Sequence, residues 1–202
     1  SVTVDIAATA LKAGETSSVT FTFNEAPQGF ALGDIASAQG SFSGLTATAN
    51  PLVWTATFTP NTNIEDTATV TVTAGSYTDV AGNLGTAGSD TTLVDTQGPA
   101  APTLALTTDS GVSSSDKITN DGTLTVSGTE TGALVEYSTN GTDWSSSFTP
   151  AQGSNTVYVR QTDSAGNVSP ASPALTFTYD TAAPSVTVDI AATALKAGET
   201  SS

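Results

Sequence analysis

Two short stretches carry the side chains best suited to chemistry. Asp79-Val-Ala-Gly-Asn83 and Asp163-Ser-Ala-Gly-Asn167 each set a carboxylate and a carboxamide four residues apart around a glycine. The glycine permits a tight reversal that turns side-chain and carbonyl oxygens toward one point. Such a loop offers two or three oxygens, whereas Ca2+ takes about 6–8. The remainder would have to come from a linker carboxylate and from an acidic loop of a neighbouring unit, which makes the metal a clamp across a joint. Two linker carboxylates are at hand, Asp95 in VDTQGP and Asp180 in YDTAAP. The same DxAGN pattern also makes a sound turn with no ligand, because Asp and Asn initiate turns and Gly accepts the left-handed region. The residues alone leave both readings open.

Composition narrows the chemistry. The 202 residues include 19 acidic and 4 basic side chains, a formal net charge of -15. Such a surface repels nucleic acid and anionic membrane and attracts cations. Only 11% of residues are charged, so the chain is not a disordered polyelectrolyte. Cys, His and Met are absent. Disulfides and thiolate or imidazole metal sites are thereby excluded, and the remaining oxygen ligands favour Ca2+ or Mg2+. The same absences remove His-based triads and thiol nucleophiles. A carboxylate pair can run glycoside hydrolysis, yet the acidic residues fall mostly at predicted turns with no sign of a cleft. The expectation is a protein that is not an enzyme. No apolar run approaches the ~20 residues of a membrane helix, so membrane insertion is not expected.

The elements that must position these residues are strands arranged in repeats. Ser1–Ser18 and Ser185–Ser202 are identical, a period of 184 residues. TDVAGN returns as TDSAGN 84 residues later, and VDTQGP as YDTAAP 85 residues later. Two related, unequal units therefore fill one period: residues 1–98, residues 99–184, and 185–202 as the first strand of a further, incomplete copy. The chain reads as a slice of a tandem array. Polar residues alternate with Val2, Val4 and Ile6; with Val19, Phe21 and Phe23; with Trp54, Ala56 and Phe58; and with Val70 and Val72. In the second unit strands are predicted near 103–108, 122–128, 133–138, 142–148, 155–162 and 172–179, with a two-residue hairpin at Asn140-Gly141. Period-two alternation punctuated by turns every 8–12 residues or so predicts all-β, immunoglobulin-like Greek-key sandwiches set end to end. TDSAGN then joins the last two strands and lies where the linker with Asp95 arrives. The loop DSGVSSSDKITND, with Asp109, Asp116 and Asp121, lies at the far end near Asp180.

Other features have plainer readings. DSGVSSSDKITND does not fit the EF-hand pattern and can be simply a solvated loop. Glu25, Glu65 and Asp66 read as surface charge, and Trp54 and Trp144 as packing residues. Asn140-Gly-Thr and Asn167-Val-Ser match a glycosylation sequon that arises often by chance. Ser185–Ser202 cannot bury a core by itself. It is expected to be disordered, to dock on the second unit, or to replace Ser1–Ser18 of another molecule in a strand swap; otherwise the chain is a monomer.

SVTVDIAATALKAGETSSVTFTFNEAP and ATVTVTAGSYTDVAGN resemble one type of bacterial Ig-like repeat. DTQGPAAPTLALTTDSG, DKITNDGTLTVSG, VEYSTNGTDW and VYVRQTDSAGNVS resemble a second type. The resemblance covers nearly the whole chain. It implies the extender region of a large type I-secreted, RTX-type surface adhesin of Gram-negative bacteria, acting in adhesion and biofilm formation. The location would be extracellular, at the bacterial cell surface, and the partners would be neighbouring Ig-like repeats of the same polypeptide. It also implies Ca2+ at the joints. By the motif match Asp95, Asp163 and Asn167 serve the joint between the units; Asp109, Asp116 and Asp180 serve the next; Asp79 and Asn83 serve a preceding one. The alternative is a module that binds sugar or protein on its loops.

Overall fold

A computed structural model describes residues 1–189, 194 and 196–198. β-Branched and aromatic residues on alternate positions make the strands. The first unit runs β1 (Val2–Ile6), β2 (Ala10–Lys12), β3 (Ser17–Phe23), β4 (Ile35–Ala36), β5 (Gly40–Ala47), β6 (Val53–Pro60), β7 (Glu65–Val72) and β8 (Gly88–Asp95). They form two four-stranded sheets, β1-β3-β6-β5 and β2-β8-β7-β4. A single turn of 3-10 helix, Leu32–Asp34, is the one helical element among the described residues. The inward positions are those the alternation predicts: Val19, Phe21, Phe58, Val70 and Val72 are fully buried. Phe30 meets Phe21, Phe23, Trp54 and Tyr77 edge-on, with centroids 5.5, 5.0, 5.7 and 6.0 Å away. These are favourable quadrupole geometries that fix one packing.

The second unit runs β9 (Thr103–Leu106), β10 (Ile118–Thr119), β11 (Leu124–Ser127), β12 (Leu134–Ser138), β13 (Gly153–Thr162) and β14 (Leu175–Tyr179). Its sheets are β10-β14-β13-β12 and the two-stranded β9-β11. The apolar cluster is small. Val157, Leu175 and Phe177 are buried, and Leu104, Leu106, Leu124, Tyr137, Phe148 and Tyr179 are partly covered around them. Hydrogen-bonded polar groups take the place of apolar packing. Gln161, fully buried, donates through Nε2 to Ala100 O and Gly128 O at 2.8 and 3.1 Å and accepts the Glu130 N–H at 2.8 Å. A buried amide so completely satisfied incurs no desolvation penalty from an unpaired group. It also ties the incoming linker to the sheet.

Two expectations fail between β12 and β13. Residues 142–148 form no strand, and Asn140-Gly141 is not a two-residue hairpin. Gly141 does take a left-handed φ of 77°, but the first cross-chain pair is Tyr137 with Ser145, bonded both ways at 2.7 and 2.9 Å. The reason is local. Asn140 Oδ1 accepts the N–H groups of Thr142 and Asp143, both at 2.9 Å, and Ser138 Oγ accepts that of Gly141 at 2.8 Å. Side chains thus claim the amides a ladder would need. Trp54 and Trp144 are half-buried packing residues, Trp144 lying under the Arg160 guanidinium at 4.3 Å. Val186 and Val188, copies of the buried Val2 and Val4, are exposed. The expectations for 185–202 otherwise fall largely outside the described residues.

Because each unit has its own core, Phe21→Ala should destabilise the first unit by about 3–5 kcal/mol. Native-state hydrogen exchange should show that loss in β3 and β6 while β13 amides keep their protection.

Candidate functional site at the interdomain joint

The segment between β8 and β9 is packed rather than slack. Thr96 is buried, its Oγ1 donating to Asn61 O at 2.8 Å and its N–H to Ile64 O at 2.7 Å. Pro99 and Pro102 are buried and fix φ on either side of two alanines. Toward this segment points the β13–β14 loop with Asp163 and Asn167, as predicted for TDSAGN.

The loop closes on itself first. Asp163 Oδ1 accepts the N–H groups of Gly166 and Asn167 at 2.7 and 2.8 Å, and Asp163 Oδ2 accepts Asn167 Nδ2 at 2.9 Å. Gly166 sits at φ +92°, a conformation other residues rarely adopt. It has a second reason to lack a side chain: a methyl group there would lie 3.1 Å from the Lys12 ammonium. Asn167 then reaches across the joint. Its Oδ1 accepts the Ala13 N–H at 2.9 Å, and its Nδ2 donates to Asp95 O at 3.0 Å and Asp95 Oδ1 at 3.3 Å. One carboxamide, 4% exposed, thus binds the β2–β3 turn, the end of β8 and its own loop. With both amide atoms engaged and covered, Asn167 is not an accessible glycan acceptor.

The TDVAGN loop is the control. Asp79 Oδ1 accepts the Asn83 N–H at 2.9 Å and Asp79 Oδ2 accepts Asn83 Nδ2 at 2.7 Å, the same closure. Yet Asn83 is exposed, and a methyl group at Gly82 would meet nothing. The two loops are one turn, docked in one place and undocked in the other.

Charge gathers at the joint. Asp95 pairs in the sheet with Lys12 of β2 on one side and with Glu65 of β7 on the other. Glu65 and Asp95 are like charges directly opposite, a destabilising arrangement unless a cation or Lys12 compensates. Lys12 is the only basic residue in residues 1–98. Together Lys12, Glu15, Asp95, Ser164 and Ala165 line an open hollow of about 340 Å³. Burial pushes the Asp163 carboxyl upward, but the bonds from Asn167, Gly166 and the loop amides outweigh it and hold its pKa below the ordinary carboxylate value. The Asp79 pKa is lowered by its bonds from Asn83.

The other acidic candidates are not brought to this site. Asp109 Oδ2 accepts the Lys117 N–H at 2.9 Å, and Asp116 Oδ1 accepts that of Ile118 at 3.1 Å. Asp180 donates its N–H to Thr119 O at 2.9 Å, and its Oδ1 accepts Gln152 Nε2 at 2.6 Å and the Ala182 N–H at 2.9 Å. The 109–121 loop and Asp180 therefore meet through the parallel β10–β14 pair, at the end away from Asp95. Among the described residues no three carboxylates converge tightly enough to form a metal cluster by themselves.

Sequence reading did not identify Lys12, Ala13, Glu65 or Gln161. The isolation of Lys12 in an acidic unit was the one visible signal. Ala13 acts through its backbone, which no side-chain pattern announces.

Two family models match in succession, each described as a bacterial Ig-like domain, one over residues 1–96 and the other over 97–181. The chain is two bacterial Ig-like domains in tandem. No curated protein matches it significantly. Among solved structures, the fibronectin(III)-like modules of Clostridium thermocellum CbhA are 14% identical, covering 89% of this chain and 94% of that one, with a TM-score of 0.36. The Yersinia pseudotuberculosis adhesin InvE is 16% identical over 89% of this chain and 58% of its own, with a TM-score of 0.34. The N-terminal part of the bacterial S-layer protein SbsC is 16% identical over 88% and 44%, with a TM-score of 0.31. No helix among the described residues is long and apolar enough to cross a membrane.

Asn167→Ala should cost the joint about 1–3 kcal/mol, since it strands the Ala13 N–H and Asp95 O. Small-angle scattering should then show a broader distribution of interdomain distances, whereas Asn83→Ala should leave it unchanged. The lowered pKa of Asp163 sets the pH dependence. Stability from this carboxylate is present above its unfolded pKa near 4 and is lost as pH falls through the lower folded value. Acidification from pH 5 to pH 2 or so should therefore loosen the joint, seen as faster exchange of the Asn167 amide.

Proposed function

We propose that the chain is an extender segment of a bacterial cell-surface adhesin, with Ca2+ stiffening its joints so that a distal binding domain is held away from the cell. The observation that carries the reading is the Asn167 carboxamide, which makes the linker and both domains one bonded unit. A rod needs joints of this kind, and a near-identical repeat lengthens a rod without altering any single site. Support for the metal comes from three oxygens, Asp95 O, Asp95 Oδ1 and Asp163 Oδ2, which converge on the Asn167 NH2 and are of the kind a hard cation takes. Asp95 and Asp163 would hold the ion in the place of that NH2, Asn167 joining through Oδ1 once its carboxamide turns over, with water completing the shell. The ion would supply charge neutralisation between Asp95, Glu65 and Asp163. In its absence the Asn167 NH2 holds Asp95 and Asp163. Asp79 and Asn83 would serve a preceding domain, and Asp109, Asp116 and Asp180 a following one. The loops act mechanically, and no catalytic step is assigned to them.

Calorimetric titration with Ca2+ tests this. The wild type should bind saturably at ~10⁻⁴–10⁻³ M, as extracellular calcium modules do, and Asp163→Ala should lose one site. Heats equal to dilution in the wild type would contradict the clamp.

A further inference from the structure

The two domains share a strand plan, but the second has no strands in the places of β5 and β6. In the first, β3 lies between β1 and β6. In the second, β11 occupies the corresponding place beside β9 and pairs with no further strand among the described residues. A position that is central in one sandwich is an open edge in the other. Thr107 donates its N–H to Thr123 O at 2.9 Å, and β9 and β11 are antiparallel in the same register, Leu106 opposite Leu124. By the alternation of an antiparallel ladder, Leu124 and Val126 therefore turn their N–H and C=O groups away from β9. Edges left open are ordinarily blunted by Lys, Pro or a bulge. Leu124-Thr-Val-Ser127 has none of these.

Beside this edge lies a hollow of about 570 Å³, lined by Leu124, Tyr137, Phe148, Pro150 and Tyr179 and by Asp121. The segment that forms β6 in the first domain has its counterpart here in residues 142–150, which form no strand, although Phe148 packs on the core against Phe177. Pro150 packs against Gly122, where a methyl group would come within 2.4 Å of it, and at the other end Ser145 pairs with Tyr137, away from β11. The hydroxyls of Tyr137 and Tyr179 make no hydrogen bond among the described residues.

We propose that the β11 edge and its hollow form a docking site for an extended strand of another polypeptide, neutral or basic, with apolar side chains on alternate positions. Main-chain bonds to Leu124 and Val126 would continue the β9–β11 sheet, and an inward side chain would enter the space between Tyr137, Phe148 and Tyr179. This is strand addition, in which the ladder gives affinity and the pocket gives selectivity. The first domain supplies the template, since β6 fills the same place on β3 antiparallel. Charge selects the partner. The chain carries -15, the hollow has Asp121 and no basic side chain on its walls, and a second copy of this chain would bring the same acidic surplus.

The probe is a synthetic peptide with the sequence of Leu52–Pro60, LVWTATFTP, followed by two lysines, added to the full chain. Hydrogen exchange at Leu124 and Val126 should slow by about tenfold or more, with shifts at Tyr137 and Phe148. Methylating alternate peptide nitrogens on the edge-facing side should abolish the effect, and methylating the outward-facing set should spare it. This leaves the protein unaltered, so misfolding of a variant cannot confuse the result. Unchanged exchange at millimolar peptide would overturn the proposal. So would equal binding of both methylated peptides, which would make the hollow alone the site. Protection of the same two amides on concentrating the chain without peptide would overturn it in favour of self-pairing.

Discussion

Everything at the junction depends on where one carboxamide finds its partners. Asn167 has two donors and an acceptor, and it is almost wholly excluded from water. A group in that position must be fully bonded or it costs more than it contributes. Its partners belong to the β2–β3 turn, the end of β8 and its own loop. The two domains can therefore hold only one close orientation without orphaning one of these groups. The same turn around Asn83 lacks such partners and remains exposed.

The two sandwiches reach stability by different routes. The first concentrates aromatic and β-branched side chains between two complete sheets. The second has few buried apolar residues and relies on bonded polar groups, Gln161 above all. Hydrogen bonds contribute modestly but tolerate little misplacement, so such a core specifies geometry more than it adds stability. Gln161 also anchors the linker at Ala100.

Much of this was legible in the sequence. The alternation at Val19, Phe21 and Phe23 and at Val157 and Val159 set both the strands and their inward faces, because burial on one side of a pleat leaves only that pattern. The recurrence of TDVAGN and TDSAGN located equivalent loops, and Asp95, Asp163 and Asn167 do come together. What was not legible was decided by backbone or by competition. Ala13 contributes an N–H that any residue could supply. Glu65 read as plain surface charge because its meeting with Asp95 follows from sheet register. The strand expected at 142–148 gives way to side-chain bonds from Ser138 and Asn140, which have the right composition for a hairpin and spend it on a wider turn.

Acidic surplus and a rigid joint are opposing demands. Asp95 faces Glu65 across the sheet and Asp163 across the joint, and the first domain has a single lysine to set against them. The carboxamide resolves this by presenting its NH2 to the acidic oxygens and its oxygen to Ala13. By these contacts the two domains should behave as one body. Residual dipolar couplings on the full chain at pH 7 measure that directly. A single alignment tensor should fit the amides of β3, β6 and β7 together with those of β13 and β14. Two tensors of different magnitude or orientation would mean that the domains move independently, and that the Asn167 contacts do not hold the joint.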